Sequence, residues 1–74
     1  MATELITSPL PGKITSVKVS AGHKVKEGDL LLTIEAMKME NEIVAPVDGT
    51  VTEVMARPDT TVQIGDSLIS IEEG

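Results

Sequence analysis

The two halves of this chain resemble each other. Residues 8–37, laid over residues 45–74 without a gap, match at ten positions that are always 37 apart. The matched pairs are Pro9/Pro46, Gly12/Gly49, Thr15/Thr52, Val17/Val54, Val25/Val62, Gly28/Gly65, Asp29/Asp66, Leu31/Leu68, Ile34/Ile71 and Glu35/Glu72. A fold for such a sequence has to build the same supersecondary unit two times. If the two units pack about a pseudo-two-fold axis, the link between them lies where the first unit has its N-terminus. Residue 38 then sits at one end of the molecule and both termini at the other. The chain reads as one small domain over residues 1–74, with internal repeats 1–37 and 38–74.

The repeat also fixes the strand assignment. Leu30–Ile34 and Leu68–Ile71 are equivalent apolar runs, each preceded by Gly-Asp. Gly takes positive φ cheaply and Asp bonds its own neighbouring backbone, so Gly28-Asp29 and Gly65-Asp66 read as tight turns. Residues 12–19 and 49–56 are rich in Val, Ile and Thr and follow Pro-x-x-Gly. Pro9 and Pro46 lack an N–H for a central ladder and mark bends, edges or strand starts. Leu5-Ile6 and Glu42-Ile43-Val44 add one more short strand per half, and Val25 and Val62 are read as isolated plugs of the core. Apolar residues at 14, 17 and 19, and again at 51 and 54, slip phase by one residue at the same place in each half. A bulge or sharp bend there suits a strand passing between sheets. Short strands punctuated by Gly, Pro and Asp indicate an all-β sandwich or barrel of seven or eight strands.

Composition narrows the function classes. The chain has no cysteine and no aromatic residue, so the core is aliphatic: seven Ile, eight Val and six Leu. Without cysteine there is no disulfide, no thiolate ligand and no thiol nucleophile. Net charge is −6, all of it in residues 38–74, where Lys38 and Arg57 face eight acids; residues 1–37 balance four Lys against four acids. An acidic chain without aromatics offers neither a phosphate footprint nor a stacking platform, so nucleic acid is not an expected partner. No apolar run approaches the roughly 20 residues of a membrane span. The first residues lack the basic and apolar regions of a signal peptide, and a cytoplasmic setting is expected, or the mitochondrial matrix if the chain belongs to a longer eukaryotic protein. His23 has no second His or Cys nearby, and no metal site is expected. With no paired acid–base groups and no triad, no catalytic residue is assigned.

The junction of the halves reads Glu35-Ala36-Met37-Lys38-Met39-Glu40. Residues 35–42 are almost wholly good helix formers, yet eight residues are too few for a stable isolated helix. The other reading is a hairpin with Met37-Lys38 at its tip, although that tip lacks the Asn-Gly or Gly-x signal of favoured two-residue turns. A turn whose chemistry is wrong for its geometry can mark a functional site. Two methionines on a hairpin tip cannot both point inward, so partial exposure is expected. Ala36 reads as a position that needs a small residue. Glu35 repeats as Glu72 and reads as structural or surface; Glu40 has no acidic counterpart.

Ala36-Met37-Lys38-Met39, with Ser8-Pro9-Leu10-Pro11-Gly12, the Gly28-Asp29 turn, Pro46, Gly49 and the Gly65-Asp66 turn, resembles the biotinyl domain, the biotin carboxyl carrier module of biotin-dependent carboxylases and decarboxylases. The similarity covers the whole chain, and Lys38 falls mid-domain as the family's lysine does. The resemblance implies a flattened barrel of two antiparallel four-stranded sheets with Lys38 on an exposed hairpin. It implies that a biotin protein ligase joins biotin to the Lys38 amine through an amide, reading Ala36, Met37, Met39, Glu40 and Glu35 around it. It implies that the tethered biotin shuttles a carboxyl group between a biotin carboxylase and a carboxyltransferase or decarboxylase, in other domains or subunits. A primary amine on a four-carbon stem suits attack on an activated acyl group, and the product is a long flexible arm.

Two departures from the family pattern refine the expectation. Leu10 stands where many members have Met, an apolar exchange of little consequence. Val19 to Val25 holds no insertion, so the thumb of one bacterial subgroup is not expected and the tethered ring moves freely. A decarboxylase, transcarboxylase, pyruvate carboxylase or acyl-CoA carboxylase is then the expected parent, with this chain either free-standing or an excised part. The alternatives are a lipoyl carrier domain, which shares the fold and the central lysine but carries an acidic residue before it and lacks the double methionine, and an unmodified barrel scaffold, which tolerates Lys38→Arg.

Overall fold

A computed structural model describes residues 2–74 of the protein; Met1, the first residue of the expected unit, lies outside them. Eight strands run in order: β1 Thr3–Thr7, β2 Gly12–Val17, β3 Lys24–Val25, β4 Leu30–Ala36, β5 Met39–Val44, β6 Gly49–Val54, β7 Thr61–Val62 and β8 Ser67–Glu73. They form two antiparallel four-stranded sheets, ordered β1-β8-β6-β3 and β5-β4-β2-β7. Adding or subtracting 37 turns one order into the other. The ladders repeat in register as well: Ile14 opposite Ile34 recurs as Val51 opposite Ile71, and Ile43 opposite Leu32 recurs as Ile6 opposite Ile69. The expected all-β architecture is the one observed, and residues 35–42 form a hairpin rather than a helix, because the ladder to β4 overrides local propensity.

The phase slip has a structural cause. The β2–β4 register shifts between Ile14 and Ser16, and the β6–β8 register shifts between Val51 and Glu53, so Thr15 and Thr52 are the bulged residues. Each threonine Oγ1 donates to a carbonyl of the facing strand, Thr15 to Thr33 at 3.3 Å and Thr52 to Ser70 at 3.2 Å. A second pair of bulges falls at Leu31 in the β4–β5 ladder and Leu68 in the β1–β8 ladder. The bulge re-aims one side chain, and in consequence both Leu31 and Leu32, and both Leu68 and Ile69, are fully buried.

The core lies between the sheets and is built almost wholly of repeat pairs: Ile14/Val51, Val25/Val62, Leu31/Leu68, Leu32/Ile69, Ile34/Ile71 and Val19/Ala56. Val25 and Val62 fill the core as expected, but they do so from two-residue strands, β3 and β7, rather than from loops. Gly28 and Gly65 turn at φ of 93° and 90°, and in each turn the following Asp accepts a backbone N–H at 2.9 Å, Asp29 from Lys26 and Asp66 from Gln63. Among the described residues, no helix is long and apolar enough to cross a membrane.

The molecule measures 36 × 18 × 16 Å. At one end Thr3 pairs with Glu72, and the Glu73 N–H donates to the Ala2 carbonyl at 2.8 Å. β1 runs away from that end, and Ser8–Pro11 carry the chain on to Gly12, which lies against Ala36 at the base of the β4–β5 turn. The hairpin tip and the chain ends therefore stand at opposite ends of the long body.

Candidate functional site

Ala36 and Met39 are the last ladder partners of β4 and β5, so Met37 and Lys38 alone make the turn between them. Their φ angles are 53° and 64°. Two central residues at positive φ give the type I′ hairpin, whose twist matches that of its strands. Asn-Gly suits this geometry; two residues with long side chains do not, and the left-handed region costs each roughly 1–2 kcal/mol. The remaining non-glycine residue at positive φ among those described, Asp59 at 67°, occupies the repeat position of Gly22 at 94°. Asp tolerates this region better than Met or Lys does, so the hairpin tip is the costlier departure.

The side chains at the tip contribute nothing to the core. Met37 is 94% exposed and Met39 67%, and Lys38 between them is exposed. Among the described residues, the ion pair the structure shows is Lys13 Nζ to Asp59 Oδ1 at 3.9 Å, and Lys38 takes part in none. The amine is therefore presented at the apex of a two-residue turn, on a four-carbon stem, with no ion partner among the described residues.

The neck of the hairpin explains its small residues. A Cβ built on Gly12 would lie 2.5 Å from the Glu35 carbonyl oxygen and 3.3 Å from the Ala36 Cβ. The backbone of β2 thus passes directly against the base of the turn, and both glycine at 12 and a short side chain at 36 follow from that approach. Asn41 adds a clamp on β5: its Nδ2 donates to the Ile34 and Met39 carbonyls, both at 3.3 Å.

Glu35 and Glu40 face each other as ladder partners, both exposed, and Glu35 also faces Lys13 on β2. The outer surface beneath the tip is therefore a row of Thr61, Lys13, Glu35 and Glu40. Like charges placed directly opposite destabilise a sheet. In the other sheet the equivalent row is Lys24, Thr50, Glu72 and Thr3, and Thr3 Oγ1 donates to Glu72 Oε2 at 3.2 Å. Glu40 thus takes the place of a neutral partner. The fold brings Glu35, Ala36, Met37, Lys38, Met39 and Glu40 together on one hairpin end. His23 is exposed on a distant loop, and no group of three metal-binding side chains occurs among the described residues.

Three neck residues were not singled out from sequence for this site: Gly12, Lys13 and Asn41. Gly12 stands out in the sequence as part of Pro-x-x-Gly, yet its contact with Ala36 needs the β2–β4 register. Lys13 and Asn41 carry no motif signal at all.

The family described as "Biotin-requiring enzyme" matches residues 4–71. The chain belongs to this family. It is 62% identical over 45 residues to the methylmalonyl-CoA decarboxylase subunit gamma of Veillonella parvula, a match that covers 61% of this chain and 35% of that one. The chain spans about a third or less of the length of the curated relatives it matches. Among solved structures, a single-chain, multi-domain long-chain acyl-CoA carboxylase superposes with a TM-score of 0.91 at 26% identity, over 97% of this chain and 7% of that one. The lipoyl domain of the 2-oxoglutarate dehydrogenase complex from Azotobacter vinelandii superposes with a TM-score of 0.81 at 28% identity, over 95% of this chain and 96% of that domain.

Proposed function

We propose that residues 1–74 are a biotin carrier domain and that Lys38 is its attachment residue. The observation that carries this reading is the exposed amine at the apex of a type I′ turn whose two residues are unfit for that turn. A fold that tolerates such a tip is selected for what the tip presents. The tip fits an amide-linked arm: Lys38 Nζ is free of ion pairs among the described residues, and nothing at the apex is needed for packing. When bound, biotin supplies a site that takes up and gives off a carboxyl group.

The rest of the work belongs to the chain's own residues. Lys38 Nζ, once it has lost its proton, attacks the activated biotinyl carbonyl held by a biotin protein ligase; the activating group leaves and an amide forms. Met37 and Met39 offer the ligase apolar surface on both sides of the amine, and Glu35 and Glu40 offer it a negative patch below. Ala36 keeps the neck narrow. The stiff barrel then presents the loaded arm to a biotin carboxylase and to a carboxyltransferase or decarboxylase, in other domains or subunits, and tethering replaces diffusion by a high local concentration at each. The domain has no catalytic role of its own in this scheme. A carrier loaded by an ATP-dependent ligase suits the cytoplasm, or the mitochondrial matrix if it is part of a longer eukaryotic chain.

Intact mass after incubation with biotin, ATP and a biotin protein ligase tests the reading. A gain of one biotin, absent in Lys38→Ala, is expected. No gain in a folded sample overturns it. The barrel is shared with a lipoyl domain, so the same assay with a lipoate ligase decides between that modification and an unmodified scaffold.

A further inference from the structure

We propose that, among the described residues, the two methionines flanking Lys38 are the peroxide-reactive site of this domain, and that their oxidation to sulfoxide slows loading of the lysine without unfolding the barrel. The inference rests on the reading of Lys38 as the acceptor. Three observations carry it.

The first is composition. Cysteine, tryptophan and tyrosine are absent, so a mild peroxide meets no thiol and finds its reactive atoms in the thioethers of four methionines. The second is exposure. Met37 and Met39 are 94% and 67% exposed, whereas Met55, just beyond β6, is 37% exposed. Reaction at a thioether follows access to sulfur, which ranks the hairpin above Met55. The third is placement. Both hairpin methionines lie within one residue of Lys38, and neither belongs to the core cluster. Oxidation there changes the surface a ligase must meet and leaves the packing between the sheets untouched.

The chemistry balances with hydrogen peroxide as the oxidant. The thioether sulfur attacks one peroxide oxygen, the O–O bond breaks, sulfur gains that oxygen and is oxidised by two electrons, and the second oxygen leaves as water. An apolar, flexible side chain becomes polar and chiral on each side of the amine. A protein surface shaped to the thioethers then has to desolvate two sulfoxide oxygens.

The test uses the 74-residue chain, treated with dilute hydrogen peroxide, freed of oxidant, and mapped by peptide mass spectrometry. Sulfoxide is expected at Met37 and Met39 before Met55. The thermal unfolding midpoint is expected to hold. The rate of biotin acceptance from a biotin protein ligase is expected to fall about tenfold, the change that loss of one partly buried methionine contact gives. Methionine sulfoxide reductase with dithiothreitol is expected to restore the rate. In Met37→Leu/Met39→Leu the rates before and after peroxide are expected to agree, whatever the starting value. An undiminished rate with both sulfoxides in place overturns the inference, as does prior oxidation of Met55 or equal sensitivity in the double variant. If the untreated chain accepts no biotin at all, the fault lies with the reading of Lys38, and this inference falls with it.

Discussion

The β4–β5 pair and the β8–β1 pair are the same piece of structure made twice, and they differ in how they end. Their ladders agree residue for residue, with Ile34 facing Asn41 as Ile71 faces Glu4. At one end Met37 and Lys38 join the two strands through a turn at positive φ. At the other the two strands are not joined to each other, and a Glu73 N–H bond to the Ala2 carbonyl marks the matching position. The barrel needs the ladder but not the turn. The residues of the tip are therefore free of the constraints that fix the core, and their departure from good turn chemistry points to selection for presentation rather than for folding.

The largest expected effects test the equivalence on which this comparison stands. Ile34 and Ile71 are both fully buried and occupy matching positions. Truncation of either to Ala removes buried methylenes and leaves a cavity, at a cost of about 2–5 kcal/mol. Urea denaturation of Ile34→Ala and Ile71→Ala should give similar losses, and Ile34→Ala, although near the hairpin, should still accept biotin once folded. A loss confined to one half would break the symmetry argument.

Gly12 and Gly49 sharpen it. A Cβ on Gly12 meets the Glu35 carbonyl, and one on Gly49 meets the Glu72 carbonyl. Each Gly→Ala change should cost about 1–3 kcal/mol through forced backbone movement. Only Gly12 lies under Ala36, so Gly12→Ala should in addition slow biotin acceptance, whereas Gly49→Ala should not. Equal acceptance rates in the two folded variants would show that the neck does not set the pose of the lysine.

Much of this was legible beforehand, and the limits are instructive. The 37-residue offset gave the equivalent longer strands, the Gly-Asp turns and the bulges at Thr15 and Thr52, because each is a local pattern that appears in two copies; the bulges at Leu31 and Leu68 fall inside apolar runs that show no phase slip. The tetrapeptide singled out Lys38, and the structure places that residue, exposed, in the β4–β5 turn. Its hairpin was legible through the family resemblance; local propensity alone favours a helix over residues 35–42, and pairing to β4 overrides it. Val25 and Val62 were read as plugs because two-residue strands have no period to detect. The Gly12–Ala36 approach and the Asn41 clamp were illegible for a third reason. They depend on which residue faces which across a ladder, and a bulge shifts that register by one.

The strained turn gives the next prediction. Lys38→Gly removes one residue from an unfavourable φ and should stabilise the domain by about 1 kcal/mol while abolishing biotin acceptance. Asp59→Gly, which restores the residue found at position 22, should stabilise less, because Asp already tolerates this region, and should leave acceptance intact. Thermal melts beside intact mass separate the two. A destabilised Lys38→Gly would mean that the lysine stem packs in a way its exposure does not suggest.

The smallest effect concerns charge. Glu40 faces Glu35 where its repeat counterpart, Thr3, donates a hydrogen bond to Glu72. Glu40→Thr should therefore copy the favourable arrangement of the other sheet, with a gain of about 0.2–1 kcal/mol. The repulsion it relieves acts between exposed groups and is screened by salt, so the gain should shrink between low ionic strength and about 1 M salt, where the Debye length is about 3 Å. Denaturation curves at both salt levels measure this directly. If Glu40→Thr is neutral at low salt, Lys13 beside Glu35 already offsets the pair, and Lys13→Ala should then expose the repulsion. In that case the negative patch would be a balanced triad, and its effect on a ligase would have to be sought in Lys13 as well as in the two acids.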